Sequence, residues 1–267
     1  MQPMTESRQI AVVIVTYHPS AEDTAFVAHM GELYHTVVVD NTNDNKGIAE
    51  AQNQGLRALL DQKGTTHVVF LDQDSRVADD YPLAIAREFD RIAQNRRLAM
   101  LGPTVKNAGT AQEYKSVIHH DHITSEGFVT RREVISSGGC TTIDCLKAVG
   151  LNDSRLFIDY VDFEWCWRAN AKGYVCGITP NLTISHQVGH KSVNLLGYLI
   201  IISAPIRYFY QFRNYLWLLR RNYVPLQWKI ATGIKSVARL IYFPLFIKQG
   251  GLCWKYMVKG IVAGLKK

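Results

Sequence analysis

Asp72, Asp74 and Asp40 each stand where a short apolar run stops. Val68 to Leu71 ends in Asp72-Gln73-Asp74-Ser75, and Thr36 to Val39 ends in Asp40-Asn41. Unbroken runs rich in β-branched residues have the pattern of strands buried on both faces. Carboxylates at strand ends are costly unless something cationic neutralises them, and a divalent metal carrying phosphates is the natural candidate. Asp40 could also accept a hydrogen bond from the imide N–H of uracil or thymine. Each motif has a plainer reading as turn chemistry. A further carboxylate, Asp162, falls in the first turn of the helix that starts at Val161 within Leu156-Phe157-Ile158-Asp159-Tyr160-Val161-Asp162-Phe163-Glu164-Trp165. Acids there favour the positive end of the helix dipole, yet a helix start that faces a sheet edge is also a good address for a general base.

Positioning these groups requires an alternation of elements. Ile10 to Val15 reads as a buried strand running into Thr16-Tyr17-His18-Pro19, Ser20 to Leu33 as a helix, and Thr36 to Val39 as a second buried strand. The segment Asn45-Lys46-Gly47 turns into a helix whose small residues Ala49, Ala51, Asn53 and Gly55 permit close approach to a strand or a ligand, and its N-terminus offers N–H groups to a diphosphate. Then come the strand before Asp72, a helix over Tyr81 to Asn95 and a strand at Met100 to Pro103. Such alternation builds an α/β fold with a mainly parallel sheet flanked by helices, which binds ligands at the carboxyl ends of its strands. Ser137-Gly138-Gly139 would let backbone approach a substrate or simply form a tight turn. Lys172-Gly173 ends the helix from Val161, Val175 to Ile178 is a strand, and Ile184 to His190 closes this body. The polar stretch from Asn107 to Thr130 contains His119, His120 and His122, readable as metal ligands or as a solvated loop.

The net charge of +7 over 267 residues hides an asymmetry. The segment 191–267 has 13 Lys and Arg and no acid, against 17 basic and 23 acidic residues before it, and it holds 14 of the 28 aromatics. An acidic domain over 1–190 is thus joined to a basic, aromatic-rich helical extension over 191–267. That mixture suits an anionic membrane surface or nucleic acid; the apolar stretches at Leu195 to Ile202 and Leu240 to Ile247 favour lipid, and no nucleic-acid partner is expected. No uncharged run reaches the ~20 residues of a spanning helix, so the extension is expected to lie on a membrane. The five cysteines form no Cys-x-x-Cys pair and read as reduced thiols. With no apolar signal segment in Met1 to Arg8, the chain is expected in the cytoplasm, peripheral on the inner face of the plasma membrane.

Taken together, Val15-Thr16-Tyr17, Val39-Asp40-Asn41, the Asn45/Gly47/Ala51/Asn53/Gly55 pattern, Phe70 to Ser75, Asp159 to Trp165 with Arg168, and His186 with Gly189 resemble the inverting glycosyltransferases of family 2, of GT-A fold, and most of all their bacterial rhamnosyltransferase branch. The likeness covers roughly residues 10–190, and Arg207 to Tyr210 with Arg213-Asn214 also looks like that branch. It implies that Thr16, Tyr17 and Asp40, with Asn41, Gly47, Asn53 and Gln73 around them, bind the nucleotide, and that Asp72 holds the ribose or a metal-bound water. It further implies that Asp74, with His186 as a second ligand, holds Mg2+ or Mn2+ on the diphosphate. Asp162 would be the base, with Asp159 the other candidate; Ser137, Gly138, Gly139, Asp159, Glu164, Trp165 and Arg168 would line or support the acceptor side. The implied donor is dTDP-β-L-rhamnose and the acceptor a lipid-linked saccharide. A UDP-hexose donor is the nearest alternative. A nucleotidyltransferase would need a glycine-rich phosphate loop that Thr16-Tyr17-His18-Pro19 is not.

Overall fold

The computed structural model describes residues 9–107, 123–186, 191–195 and 198–266. Its main sheet has seven strands: β1 (Ile10–Thr16), β2 (His35–Asp40), β3 (His67–Asp72), β4 (Leu98–Asn107), β5 (Val129–Arg131), β6 (Cys140–Thr142) and β7 (Val175–His186), in the spatial order β2-β1-β3-β6-β4-β7-β5. β1, β2, β3, β4 and β7 run one way, β5 and β6 the other. The carboxyl ends of β2, β1 and β3 therefore lie side by side. β6 runs back along β3, with Val69 opposite Cys140, so the residues just before β6 reach the same edge.

Helices α1 (Ala21–Leu33), α2 (Gly47–Leu60), α3 (Tyr81–Ala93), α4 (Ile143–Val149) and α5 (Val161–Ala171) flank the sheet. Ser20 caps α1 reciprocally with Asp23, each side chain accepting from the other's backbone N–H. Gly55 lets α2 lie close to β1, since a Cβ there would come 2.9 Å from the Val13 side chain. The core between the layers is β-branched and aromatic, with Val12, Ile14, Val68, Ile85, Ile92 and Leu101 fully covered.

Several expectations need correcting. β2 is the edge strand and alternates between exposed and half-buried positions, so it is not buried on both faces. α1 forms where a helix is expected, but its apolar face does not all go inward: only Asp23 and Met30 are buried, and Leu33 is exposed. The stretch from Val175 to His186 is one continuous strand rather than a strand and a separate closing segment; β4 likewise runs on to Asn107 past a register shift at Pro103/Thr104. After it the chain is not yet helical: β8 (Lys191–Leu195) and β9 (Tyr198–Ile202) pair antiparallel, as β-branched Ile200 to Ile202 would favour. Helices α6 (Pro205–Leu219), α7 (Leu226–Phe246) and α8 (Gly250–Leu265) follow, and among the described residues no helix is long and apolar enough to cross a membrane.

These last helices are fastened to the body by polar side chains. Asn214 on α6 is wholly buried and donates to the carbonyls of Leu156, Ile158 and Asp159. That segment carries three consecutive-region residues with positive φ, Phe157, Asp159 and Tyr160, a conformation that L side chains disfavour and that neighbouring structure must impose. Arg213 adds bonds to the Arg155 and Leu156 carbonyls, and Tyr210 stacks on Phe157 at 4.5 Å.

Candidate active site

The loop after β1 and the turn after β3 are clamped together. Gln73 accepts from the Tyr17 N–H at 2.6 Å and donates to the Tyr17 carbonyl at 3.2 Å. The side chain expected to touch a donor thus shapes the loop, while the Tyr17 ring remains 49% exposed, edge-on to His18. Thr16 ends β1 buried. Asp40 is exposed and accepts from the Thr42 N–H; bonds from Thr42, with the nearby His18 charge, hold its carboxyl below the usual range. Asn41 is buried and organises the next turn, donating to Asn45 and accepting from the Lys46 N–H. Two of the first three amides of α2 are already used: Gly47 donates to the Asn45 side chain and Ala49 to the Phe157 carbonyl. Gly47 itself has φ +81, and a Cβ there would meet Phe157 at 2.5 Å, which is why only glycine fits. The start of α2 is therefore less open to a diphosphate than its sequence suggests.

In the β3 turn, the hydroxyl of buried Ser75 accepts from the Asp72 N–H at 2.9 Å and its own N–H donates to the Asp72 carbonyl. This holds Asp72 half-buried and leaves Asp74 exposed. Across from Asp72, the Asp162 carboxylate accepts N–H bonds from Phe163 at 3.0 Å and Ser136 at 3.2 Å. Burial pushes its carboxyl up to about 6, the two backbone bonds resist, and the negative charge of Asp72 adds to the rise. The cause is visible behind it, in a small hollow lined by apolar Leu56, Phe70, Met100 and Leu146 together with Gln52 and Trp165. Gly138 and Gly139 run along β3, exchanging backbone bonds with Phe70, and Gly138 (φ +72) accepts from the Tyr81 hydroxyl. The hydroxyl of Ser137 is buried with no hydrogen-bond partner among the described residues.

The structure thus brings Thr16, Tyr17, Asp40, Asn41, Asp72, Gln73, Asp74, Ser137, Gly138, Gly139 and Asp162 to one edge. Others it turns away. Asn53 is consumed by Asn152 and Ser154. Glu164 points into the seam with the C-terminal helices, and Arg168 spans Glu164 and the carbonyls of Val149 and Leu151, whereas Trp165 lines the hollow behind Asp162 while its indole donates to the Gly150 carbonyl. Asp159 is ion-paired with Arg207. β7 ends at His186 on the same carboxyl edge, but that side chain, like His119, His120 and His122, lies outside the described residues. Sequence reasoning missed the Ser136 N–H and Gln52, which belong to no motif, and the role of Ser75, which closes the Phe70 to Ser75 stretch but whose bond from the Asp72 N–H only the fold shows.

Asp72 and Asp74 offer oxygen donors of the kind hard divalent cations take, and Mg2+ commonly uses one or two carboxylates with substrate phosphates and water. Among the described residues no three His, Cys, Asp or Glu converge to hold a metal unaided. The donor set fits an ion that arrives with a diphosphate.

The mainly parallel sheet flanked by helices is the fold of the GT-A glycosyltransferases. The chain is similar in fold to S. aureus TarS in complex with UDP-GlcNAc (13% identity, TM-score 0.55, 96% of this chain and 81% of that one). It is similar also to GalNAc-T7 with UDP, GalNAc and Mn2+ (13% identity, TM-score 0.57, 95% of this chain and 54% of that one). In sequence it is 33% identical over 286 aligned positions to the dTDP-rhamnosyl transferase RfbF of Shigella flexneri, spanning 96% of this chain and 94% of the relative. No family model matches the chain. The chain belongs to the family-2 glycosyltransferases of GT-A fold, in their bacterial rhamnosyltransferase branch.

Proposed function

We propose that this glycosyltransferase moves L-rhamnose from dTDP-β-L-rhamnose, with inversion, onto a hydroxyl of a lipid-linked or polysaccharide acceptor in cell-surface glycan synthesis, while bound to the inner face of the plasma membrane. The observation that carries the catalytic part is the half-buried Asp162 at the carboxyl edge of the sheet, its carboxyl raised to about 6 by burial and by the nearby charge of Asp72. The name of the Shigella relative supports the donor. The exposed Tyr17 ring offers a face for the base, and Asp40 an acceptor for an imide N–H. Thymine and uracil share that N–H, so Asp40 does not choose between them.

A carboxyl at its ordinary value near 4 is a weak base at neutral pH. Raised to about 6, Asp162 is better matched to its task and still roughly nine-tenths ionised at pH 7. It takes the proton of the acceptor hydroxyl as that oxygen bonds to the anomeric carbon from the face opposite the departing diphosphate, so a single displacement inverts the centre. A divalent ion held by Asp74, with Asp72 beside it, would supply Lewis-acid help to the leaving group.

Three measurements test this reading. In a panel of nucleotide sugars, turnover is expected to favour dTDP-rhamnose; a clear preference for UDP-hexoses would remove the donor assignment and leave the class. Asp74→Asn is expected to raise the Mg2+ or Mn2+ needed for half-maximal donor binding by about tenfold or more, and an unchanged metal titration would take Asp74 out of the metal site. The acid limb of kcat should bend near pH 6 with unit slope as Asp162 loses its proton; a bend near pH 4 would point to a solvated carboxylate instead.

A further inference from the structure

The longest helix of the chain turns an apolar stripe outward. On α7, Leu226, Ile230, Ile234, Val237, Ile241 and Leu245 recur every three or four residues and are each 55–70% exposed, whereas only Ser236 and Phe243 of that helix are buried. A two-turn repeat of large aliphatic side chains on a soluble helix normally faces a core; here the core side is served by Phe243, which packs with Tyr208, Phe212, Cys253 and Met257. Exposed apolar patches of this extent mark an interaction surface.

Charge selects the occupant. Lys235 and Lys248 are exposed on and just beyond α7, Lys255 and Lys259 on α8, and no Asp or Glu follows Glu164. A second copy of this face would bring only cations against cations, and Lys is depleted at protein interfaces. An anionic bilayer complements both features: aliphatic side chains enter the acyl boundary while Lys heads reach phosphates. Trp254, 41% exposed on α8, is a residue type that prefers that boundary.

We infer that the outward stripe of α7 is the bilayer-docking face of this enzyme, lying in the plane of an anionic phospholipid surface. This rests on the proposed membrane attachment and assigns it to one face. It also has a mechanical side. Arg239 of α7 donates to Gln211 of α6, Gln211 donates to Asp159, and Arg207 pairs with Asp159. The docked helix is thereby tied to the segment just ahead of Asp162.

The test uses the full chain and sedimentation with vesicles of phosphatidylcholine alone or mixed with phosphatidylglycerol. Wild type should sediment with the anionic vesicles. The double variant Ile234→Glu, Ile241→Glu should partition at least about tenfold less, and Lys235→Ser with Lys255→Ser about fivefold less per lysine on anionic vesicles only. Both variants should keep wild-type turnover on a soluble acceptor without vesicles, which shows that they fold and reports on the catalytic reading alone. Undiminished sedimentation of the Ile variant would overturn the face assignment. Failure of the wild type to sediment would overturn the attachment as well. A dimer in solution that the Ile variant dissociates would make a second copy the occupant.

Discussion

Asp162→Asn is expected to lower turnover by about 10²–10⁴-fold, the range for a lost general base, while leaving donor binding in place and making the protein more heat-stable. Loss of turnover follows because an amide cannot take the acceptor proton. Gain of stability follows from the direction of the shift. The folded carboxyl titrates near 6, above its ordinary value, so the protonated form is the one the fold favours. That contribution is complete below about pH 4, fades as pH rises through about 6 and is gone at neutral pH. At 1.36 kcal/mol per unit, ionised Asp162 costs the native state about 3 kcal/mol at pH 7. The amide oxygen can accept from only one of the Phe163 and Ser136 N–H groups, which returns about 1 kcal/mol. The remaining ~2 kcal/mol corresponds to a rise of about 4–8 °C. Calorimetry at pH 7.5 and at pH 4 should show the gain at the higher value only. Near-normal turnover by the variant would move the base to another carboxylate. Asp159 is poorly placed to be that one, because Arg207 already holds it.

The second large effect lies outside the cleft. Glu164 is 1% exposed and accepts from Arg168, Arg221 and the Tyr223 hydroxyl. Arg221 also pairs with Asp153, whose burial works against ionisation but whose bonds from Arg155 and Arg221 hold its carboxyl down to about 2. Glu164→Ala would leave Arg168 and Arg221, both mostly buried, without their shared carboxylate. Removing one partner of a buried pair typically costs ~3–5 kcal/mol. A fall in melting temperature on the order of 10 °C is expected, seen by calorimetry at neutral pH, with Glu164→Gln milder because the amide oxygen still accepts. If Glu164→Ala instead melts with the wild type and loses acceptor affinity, Glu164 faces substrate and the seam described here is wrong.

That seam shows where linear reading stops. A carboxylate two positions after Asp162 looks from spacing alone like part of the same acidic site. A helix turns by about 100° per residue, however, so the two side chains point apart. Asp162 goes to the sheet edge and Glu164 to the C-terminal helices. Asn214 is the matching case on the other side. Its place in an aromatic-rich segment hints at burial, but nothing local reveals that it donates to three carbonyls around Ile158. The cations Arg207, Arg213 and Arg221 belong to a tail that composition assigns wholly to a surface, and the fold turns all three inward.

By itself the sequence determined the alternation of strands and helices from Ile10 to Pro103, the carboxylates that close β2 and β3, and the family to which they belong. These are local properties: side-chain period, β-branching and turn chemistry act over a few residues. Only the tertiary structure decided that β2 is an exposed edge, that Lys191–Leu195 and Tyr198–Ile202 pair as strands before the helices begin, and that Ser136 meets Asp162. It also decided that Asp162 sits over an apolar hollow beside Asp72 and so titrates near 6. Such facts depend on desolvation and on charges brought close from distant parts of the chain, and neither quantity exists until the chain has folded.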